Sequence, residues 1–218
     1  MPLRIADLRA NAIWRSAQRY GQMVFAMDQN CTPHAETPGP WGVAGSRRGY
    51  CLGLSIQWLA MRKRGQNFDY DEQTGICNTP PWQATMLQNI HASAPRTRAM
   101  TFSGAMVQQS IRDPIRSATL LIRYASFRVL VTVTNFHQIL TGFPNTLWLI
   151  VLDAGPQGGT AHAVAAQHDA QGNVHFFDPN YGHFNFPDFA HFKTWFRAFL
   201  IESGYIRDYA GAQFFCVV

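Results

Sequence analysis

The stretch HAVAAQHDAQGNVHFFDPN, residues 162–180, decides how this chain folds. Two strand-like runs, His162–Gln167 and Val174–Phe177, flank Asp169-Ala170-Gln171-Gly172-Asn173. A three-residue loop, a type I turn followed by Gly172 in the left-handed conformation, joins such runs into a hairpin. That spacing places Asp169 opposite Asn173, Val164 opposite Asp178 and His162 opposite Asn180. Even-numbered residues of both strands then share a face. His162 and Asp178 become diagonal neighbours, about 7–8 Å apart between backbones and within side-chain reach. A two-residue loop would send them to opposite faces, because a one-residue slip flips every side chain.

An imidazole beside a carboxylate is a general base with its orienter, and it calls for a nucleophile. The stretch SRRGYCLGLSIQWLAMRKRG, residues 46–65, supplies one. Leu54, Trp58 and Met61 share a helical face. Arg62, Lys63 and Arg64 suit the negative end of a helix, and Gly65 is a good residue to follow it. Cys51 thus stands at the first turn, after a glycine-rich loop. Unpaired backbone N–H groups and the positive helix end favour a thiolate there. Of the other thiols, Cys77 is the rival nucleophile, but its surroundings, TGICNTPPW, start no helix for several residues. Cys31 and Cys216 are incidental. His168 shares a face with His162 near the hairpin tip and is the second-choice base.

Composition bounds the alternatives. The chain has 218 residues, 47% hydrophobic and only 14% charged, which suits one domain with a sizeable core and argues against disorder. The formal net charge is +5, so an anionic membrane surface is open as a peripheral contact. The basic residues form small scattered groups without a nucleic-acid-binding motif, so no nucleic-acid partner is expected. Four cysteines without a C-x-x-C pair suit free thiols rather than a zinc ribbon or disulfide scaffold. His34, His175, His183 and His191 show no H-E-x-x-H or comparable spacing, so no metal is expected. The longest apolar run, Thr146–Leu152, is strand-sized, far short of the roughly 20 residues that span a bilayer. Arg4, Asp7 and Arg9 interrupt any signal-peptide-like stretch.

Along the chain, periodicity predicts a helix over residues 4–27, with Gly21 near its end, and a long Pro/Gly loop over 28–50. The Cys51 helix follows, then a loop over 66–81. A helix near Trp82–His91 would turn Met86, Leu87 and Ile90 inward. Asp113-Pro114 looks like the start of a helix running through Leu120 to Tyr124. Strands are expected at Phe127–Thr134, Leu147–Leu152, His162–Gln167, Val174–Phe177 and Phe214–Val218. Pro187-Asp188 opens a helix over Phe189–Ile201 that Gly204 follows. Helices first and strands later predict an α+β fold, with N-terminal helices packed on a C-terminal antiparallel sheet.

At Cys51, His162 and Asp178 the sequence resembles a known family. GYCLGLSIQWL, then GTAHAVAAQ, then FFDPNYGHFNF are similar to the three blocks of the YopT/AvrPphB-type papain-like cysteine proteases, in the same order. The resemblance runs from about residue 45 to the C-terminus. It implies a single papain-like domain over 1–218, with residues 1–44 as a helix-and-loop extension and 45–218 as catalytic core. It implies peptide hydrolysis by a Cys51–His162–Asp178 triad without a cofactor. A protein substrate, such as a host signalling protein, a monomeric enzyme and delivery into host cells by a dedicated bacterial secretion system follow by the same resemblance. The papain signature C-G-[SA]-C-[WY] is absent, and Gly45 stands where a Gln would precede the nucleophile. Ser46 is the substitute oxyanion donor, beside the Cys51 backbone N–H. The same triad also suits an acyltransferase, transglutaminase or deamidase. A non-enzymatic binding module with a decayed site is the remaining alternative, and the intact Cys, His and Asp speak against it.

The hairpin register is directly testable. Deleting Gln171 shortens the loop and turns Asp178 away from His162, so thiol reactivity and any hydrolytic activity should fall as far as in Asp178→Ala. A harmless deletion would refute the register.

Overall fold

The computed structural model describes residues 5–27, 51–68, 70–71, 76–77, 82–94, 98–100, 105–154 and 161–218. Helix α1 (Ile5–Tyr20) leads into strand β1 (Gln22–Ala26). Then come α2 (Cys51–Lys63), the two-residue strands β2 (Tyr70–Asp71) and β3 (Ile76–Cys77), and α3 (Trp82–Ser93). The strands β4 (Arg98–Met100) and β5 (Met106–Gln108) form a separate antiparallel pair. They are followed by α4 (Gln109–Ser117), β6 (Ile122–Ala125), α5 (Val133–Thr141), β7 (Thr146–Ala154), β8 (His162–His168), β9 (Val174–Asp178) and β10 (Gly182–Phe186). Helices α6 (Phe189–Glu202) and α7 (Tyr205–Asp208) precede the last strand, β11 (Tyr209–Val217). The main sheet has the order β2-β3-β1-β10-β9-β8-β7-β11-β6. Its pairs are antiparallel except β1 with β3. This is the expected α+β, papain-like architecture.

The sheet divides two apolar cores, as strand alternation dictates. Leu147, Leu149, Ala163, Ala165 and Phe177 face α2. Trp148, Ile150, Val164, Ala166 and Phe176 face the opposite way, toward Phe192, Trp195, Phe196 and Phe199 of α6 and Ile13 and Ala17 of α1. Helix α2 is buried from Cys51 through Ala60, sandwiched between the sheet and α3, so it is apolar nearly all round. It ends as expected. Gly65 has φ +70, and the N–H groups of Gly65 and Gln66 donate to the carbonyls of Arg62 and Met61.

The predicted hairpin forms. Asp169 and Asn173 are bonded through Asp169 N–H to Asn173 O, and Gly172 has φ +88. The pairs Ala165–Phe177, Ala166–Phe176, Gln167–His175 and His168–Val174 carry that register along the strands. The Asp169 carboxylate holds the turn, accepting from the N–H groups of Gln171 and Asn173 at 3.0 and 2.8 Å. Its other oxygen meets His175 Nε2 at 3.3 Å, and His175 Nδ1 lies 3.2 Å from His183 Nε2. Burial, reinforced by the Arg62 charge, brings His175 down to about 4, so it is neutral at pH 7.

Several expectations are corrected. The helix predicted over 4–27 stops at Tyr20. At Gly21 a side chain would strike the Asn185 carbonyl 2.3 Å away, and Gln22–Ala26 pairs with β10 instead. The helix placed at Asp113-Pro114 starts earlier, at Gln109, and Leu120–Tyr124 does not continue it, since Ile122–Ala125 is strand. Pro114 sits inside α4 because the Ser110 carbonyl, which its missing N–H would have bonded, accepts from His91 Nδ1 at 2.7 Å. Phe127–Thr134 is no strand. It makes a single bridge, Val129 to Ala212, before Thr132 caps α5 by accepting from Asn135 N–H. The loop over 66–81 contains β2 and β3. Met86 faces out, 46% exposed, and Ala84 and Leu87 fill the inner face of α3. The loop 28–50 lies outside the described residues.

The tightest joint is between α2 and α3. A Cβ on Gly53 would lie 2.0 Å from the Ala84 carbonyl oxygen, a backbone atom with nowhere to go. Gly53→Ala gains about 1 kcal/mol of helix propensity but forces the helices apart, at a cost of about 1–3 kcal/mol or more. Urea unfolding should show a lowered midpoint at an unchanged slope, with net destabilisation.

Candidate active site

Three elements converge at the start of β8. Helix α2 delivers Cys51 at its first residue, and Ser55, one turn on, anchors the helix by donating from Oγ to the Ala163 carbonyl at 3.0 Å. Strand β8 delivers His162 at its first residue, opposite Leu152 of β7. Strand β9 delivers Asp178 at its last. His162 Nε2 donates to Asp178 Oδ1 at 2.9 Å, with the two side chains 4% and 0% exposed. That bond leaves Nδ1 as the ring nitrogen that can serve the Cys51 thiol, on which the imidazole acts electrostatically. The Asn180 backbone N–H donates to the same Asp178 oxygen at 2.9 Å, so the turn after β9 fixes the carboxylate. Among the described residues the structure thus brings Cys51, His162 and Asp178 together.

The electrostatics favour a thiolate and an imidazolium. Burial pushes the Cys51 thiol up, but the hydrogen bond and charge of His162, with the backbone N–H groups of Ala163 and Leu52, bring it below the ordinary thiol range. Burial alone would lower His162; the Asp178 carboxylate, its hydrogen bond and Cys51 instead raise it to about 10.

The other sequence candidates fall elsewhere. Ser46 and Cys31 lie outside the described residues. The backbone of Cys77 belongs to β3, beyond β9, β10 and β1 in the sheet order. Cys216 is buried in the second core, where desolvation raises its thiol. His168 ends β8 at the hairpin, six residues from His162, and packs edge-on against Phe189. Among the described residues no cluster suits a metal ion, and no helix is long and apolar enough to cross a membrane. Two neighbours escaped the sequence reading, Tyr205 and Tyr209, whose spacing of four does not point to His162 until the chain is folded; Asn180 stood opposite His162 in the hairpin register but had no role assigned to it.

The pair has a defined pH window. The His162 charge contributes stability fully below its ordinary value of 6.5, lost as pH rises through about 10. The Cys51 thiolate contributes above the ordinary thiol range, lost as pH falls through its lowered value. At pH 6 an ordinary thiol is under about 1% ionised. A limiting dose of iodoacetamide at pH 6, with peptide mapping, should therefore mark Cys51 well ahead of Cys31, Cys77 and Cys216. His162→Ala should erase that preference; a Cys51 rate that ignores the substitution would break the assignment of the pair.

The chain is similar in sequence and in fold to known proteins. The family model Peptidase_C58, described as Yersinia/Haemophilus virulence surface antigen, matches residues 146–218, which include His162 and Asp178. A segment of 61 residues is 43% identical to the protein adenylyltransferase and cysteine protease IbpA of Histophilus somni (strain 2336). That segment is 28% of this chain, and the match spans 2% of IbpA. The crystal structure of the Pseudomonas avirulence protein AvrPphB superposes with a TM-score of 0.61, covering 93% of this chain and 99% of that one at 16% identity. PatoxP, a cysteine protease-like domain of the Photorhabdus asymbiotica toxin PaTox, gives 0.49 at 14% identity, over 97% of this chain and 58% of the other. With the fold of AvrPphB over nearly its whole length and the Peptidase_C58 pattern over its C-terminal third, the chain resembles the YopT/AvrPphB-type papain-like cysteine proteases.

Proposed function

We propose that the chain is a cysteine endopeptidase in which Cys51 is the nucleophile, His162 the general base and acid, and Asp178 the residue that orients and charges the imidazole. The observation that carries this is the bond of His162 Nε2 to buried Asp178 at 2.9 Å, with Cys51, the first residue of α2, acting electrostatically on the same imidazole. The thiolate attacks a peptide carbonyl carbon. The Cys51 backbone N–H at the start of α2 donates to the oxyanion, an effect worth about 2.7–4 kcal/mol per donor in a protease of this logic. Ser46 is the proposed second donor. His162 passes its proton to the leaving amine, and the C–N bond breaks to leave a thioester on Cys51. Water, deprotonated by His162, then hydrolyses the thioester and frees the thiol.

The chain acts as one domain, residues 1–218, and α1 and β1 from its first 44 residues supply part of the second core and one strand of the sheet. Its substrate is a protein, which it meets as a monomer. The match to a family of virulence proteins supports delivery to a host cell, and the target we propose is a host signalling protein.

Comparison of new protein N-termini in host-cell extract exposed to wild type or to Cys51→Ala tests the reading. Wild type should create a small set of N-termini that Cys51→Ala does not. His162→Ala should lower their rate of formation by about 10²–10⁴-fold. An unchanged proteome with an alkylatable Cys51, or a mass increase of a glutamine-containing peptide without cleavage, would exclude endopeptidase action.

A further inference from the structure

We propose that Tyr205 and Tyr209 form an aromatic clamp that positions the His162 imidazolium, and that Asn180 ties this clamp to Asp178; the proposal rests on the Cys51–His162–Asp178 chemistry above. Gly204, with φ +80, turns the chain out of α6 into the single turn of α7, so that Tyr205 and Tyr209 arrive side by side. Their rings meet at right angles, centroids 5.0 Å apart. The imidazole lies against both. Tyr205 meets it edge to face at 5.5 Å and 70°, and Tyr209 lies nearly parallel to it at 6.2 Å and 22°. A cation near the face of a tyrosine is attracted by the ring quadrupole, so Tyr209 favours the charged ring. Tyr205 is buried, whereas Tyr209 is half-buried and forms the outer wall.

Asn180 makes the clamp one unit with the carboxylate. Its backbone N–H holds Asp178 Oδ1, and its Nδ2 lies 3.0 Å from Tyr205 Oη and 3.5 Å from His162 Nε2. A shift of α7 would therefore move Asp178 and the imidazole together. The titratable groups acting on the imidazole are Asp178 from β9 and Cys51 from α2, and those acting on the two tyrosines are Asp178, Cys51, Tyr181 from the turn after β9 and Asp208 from α7, itself paired with Arg207. Burial first, then the charges of Asp178, Cys51 and Asp208, keep the Tyr209 phenol above the ordinary tyrosine range. Tyr209 is thus a neutral ring across the working range, neither a base nor a counter-ion. It is a positioning residue that acts through His162.

The test is the pH profile of Cys51 alkylation by iodoacetamide in the full chain, which reads the thiolate–imidazolium pair without a substrate. Tyr209→Leu should move the acid limb up by about half to one pH unit, so that alkylation on that limb slows about three- to tenfold. Tyr209→Met fills the same space without a ring face and should do likewise, which guards against a folding defect in the leucine variant. Tyr209→Phe keeps the ring and should rescue the limb. Asn180→Ala should shift the limb in the same direction as Tyr209→Leu. Profiles of Tyr209→Leu and Tyr209→Met that coincide with wild type would overturn the clamp while leaving the proposed chemistry intact. A wild-type profile with no limb that depends on His162 would overturn both.

Discussion

The site depends on one turn. The Asp169 carboxylate accepts two backbone N–H groups inside a loop of three residues, and that grip sets the register of β8 against β9. Because side chains alternate strictly along a strand, register is a binary variable: one residue of slip puts Asp178 on the face away from His162. Nothing at the site itself could correct such a slip, since the bond between His162 and Asp178 is a product of the register and not its cause. The hairpin tip and the site occupy opposite ends of the same two strands, so the element that decides the chemistry is remote from it.

The second requirement is a helix that, packed on the opposite face of the sheet, brings its first turn to the end of β8 where His162 stands. A helix start offers unpaired N–H groups only if the preceding chain does not continue it, and its direction is fixed only if the helix cannot rock. Helix α2 meets the second condition by burial on every side. Gly53 lets α3 approach to backbone contact, and Ser55 is bonded to the carbonyl of the residue after His162. The thiol thus sits at the end of a rigid rod, held against the strand that carries its base. The cost of burying both ions is offset because each is the other's partner and Asp178 serves as the fixed counter-charge.

How much of this the sequence disclosed follows from the range of the interactions involved. The hairpin and the ends of α2 and α6 were legible because local chemistry determines them: Gly172 and Gly65 at positive φ, and Asp188 capping α6 by accepting from His191 N–H. The elements misread are those in which a distant partner overrides a local preference. Val129 and Val131 favour a strand, but only one bridge to Ala212 was on offer, and the capping hydroxyl of Thr132 diverts the chain into a helix. Pro114 reads as a helix start unless His91, on another helix, is known to serve the carbonyl that the proline leaves bare. Strand β10 carries Gly182 and two phenylalanines that serve the second core, and its pairing with β1 links residues far apart in sequence. The candidate site shows the same division. Its three central residues stand at the start or end of strongly patterned elements, whereas Tyr205 and Tyr209 gain meaning only from the rings and atoms that folding sets beside them.

The carboxylate that fixes the turn also fixes the order of protons deeper in the molecule. As an acceptor, Asp169 requires His175 to present Nε2–H. A neutral His175 must then show a bare Nδ1 to its neighbour, which obliges His183 to carry its own proton on Nε2. The remaining His183 nitrogen is left as an acceptor, buried and without a hydrogen-bond partner among the described residues. Two imidazoles that could each adopt either tautomer are thereby reduced to a single joint state, written from the surface inward. The hairpin tip is in this sense a polarity marker for the interior, and its aspartate could not be exchanged for an asparagine turned the wrong way without reversing the sequence of donors and acceptors behind it.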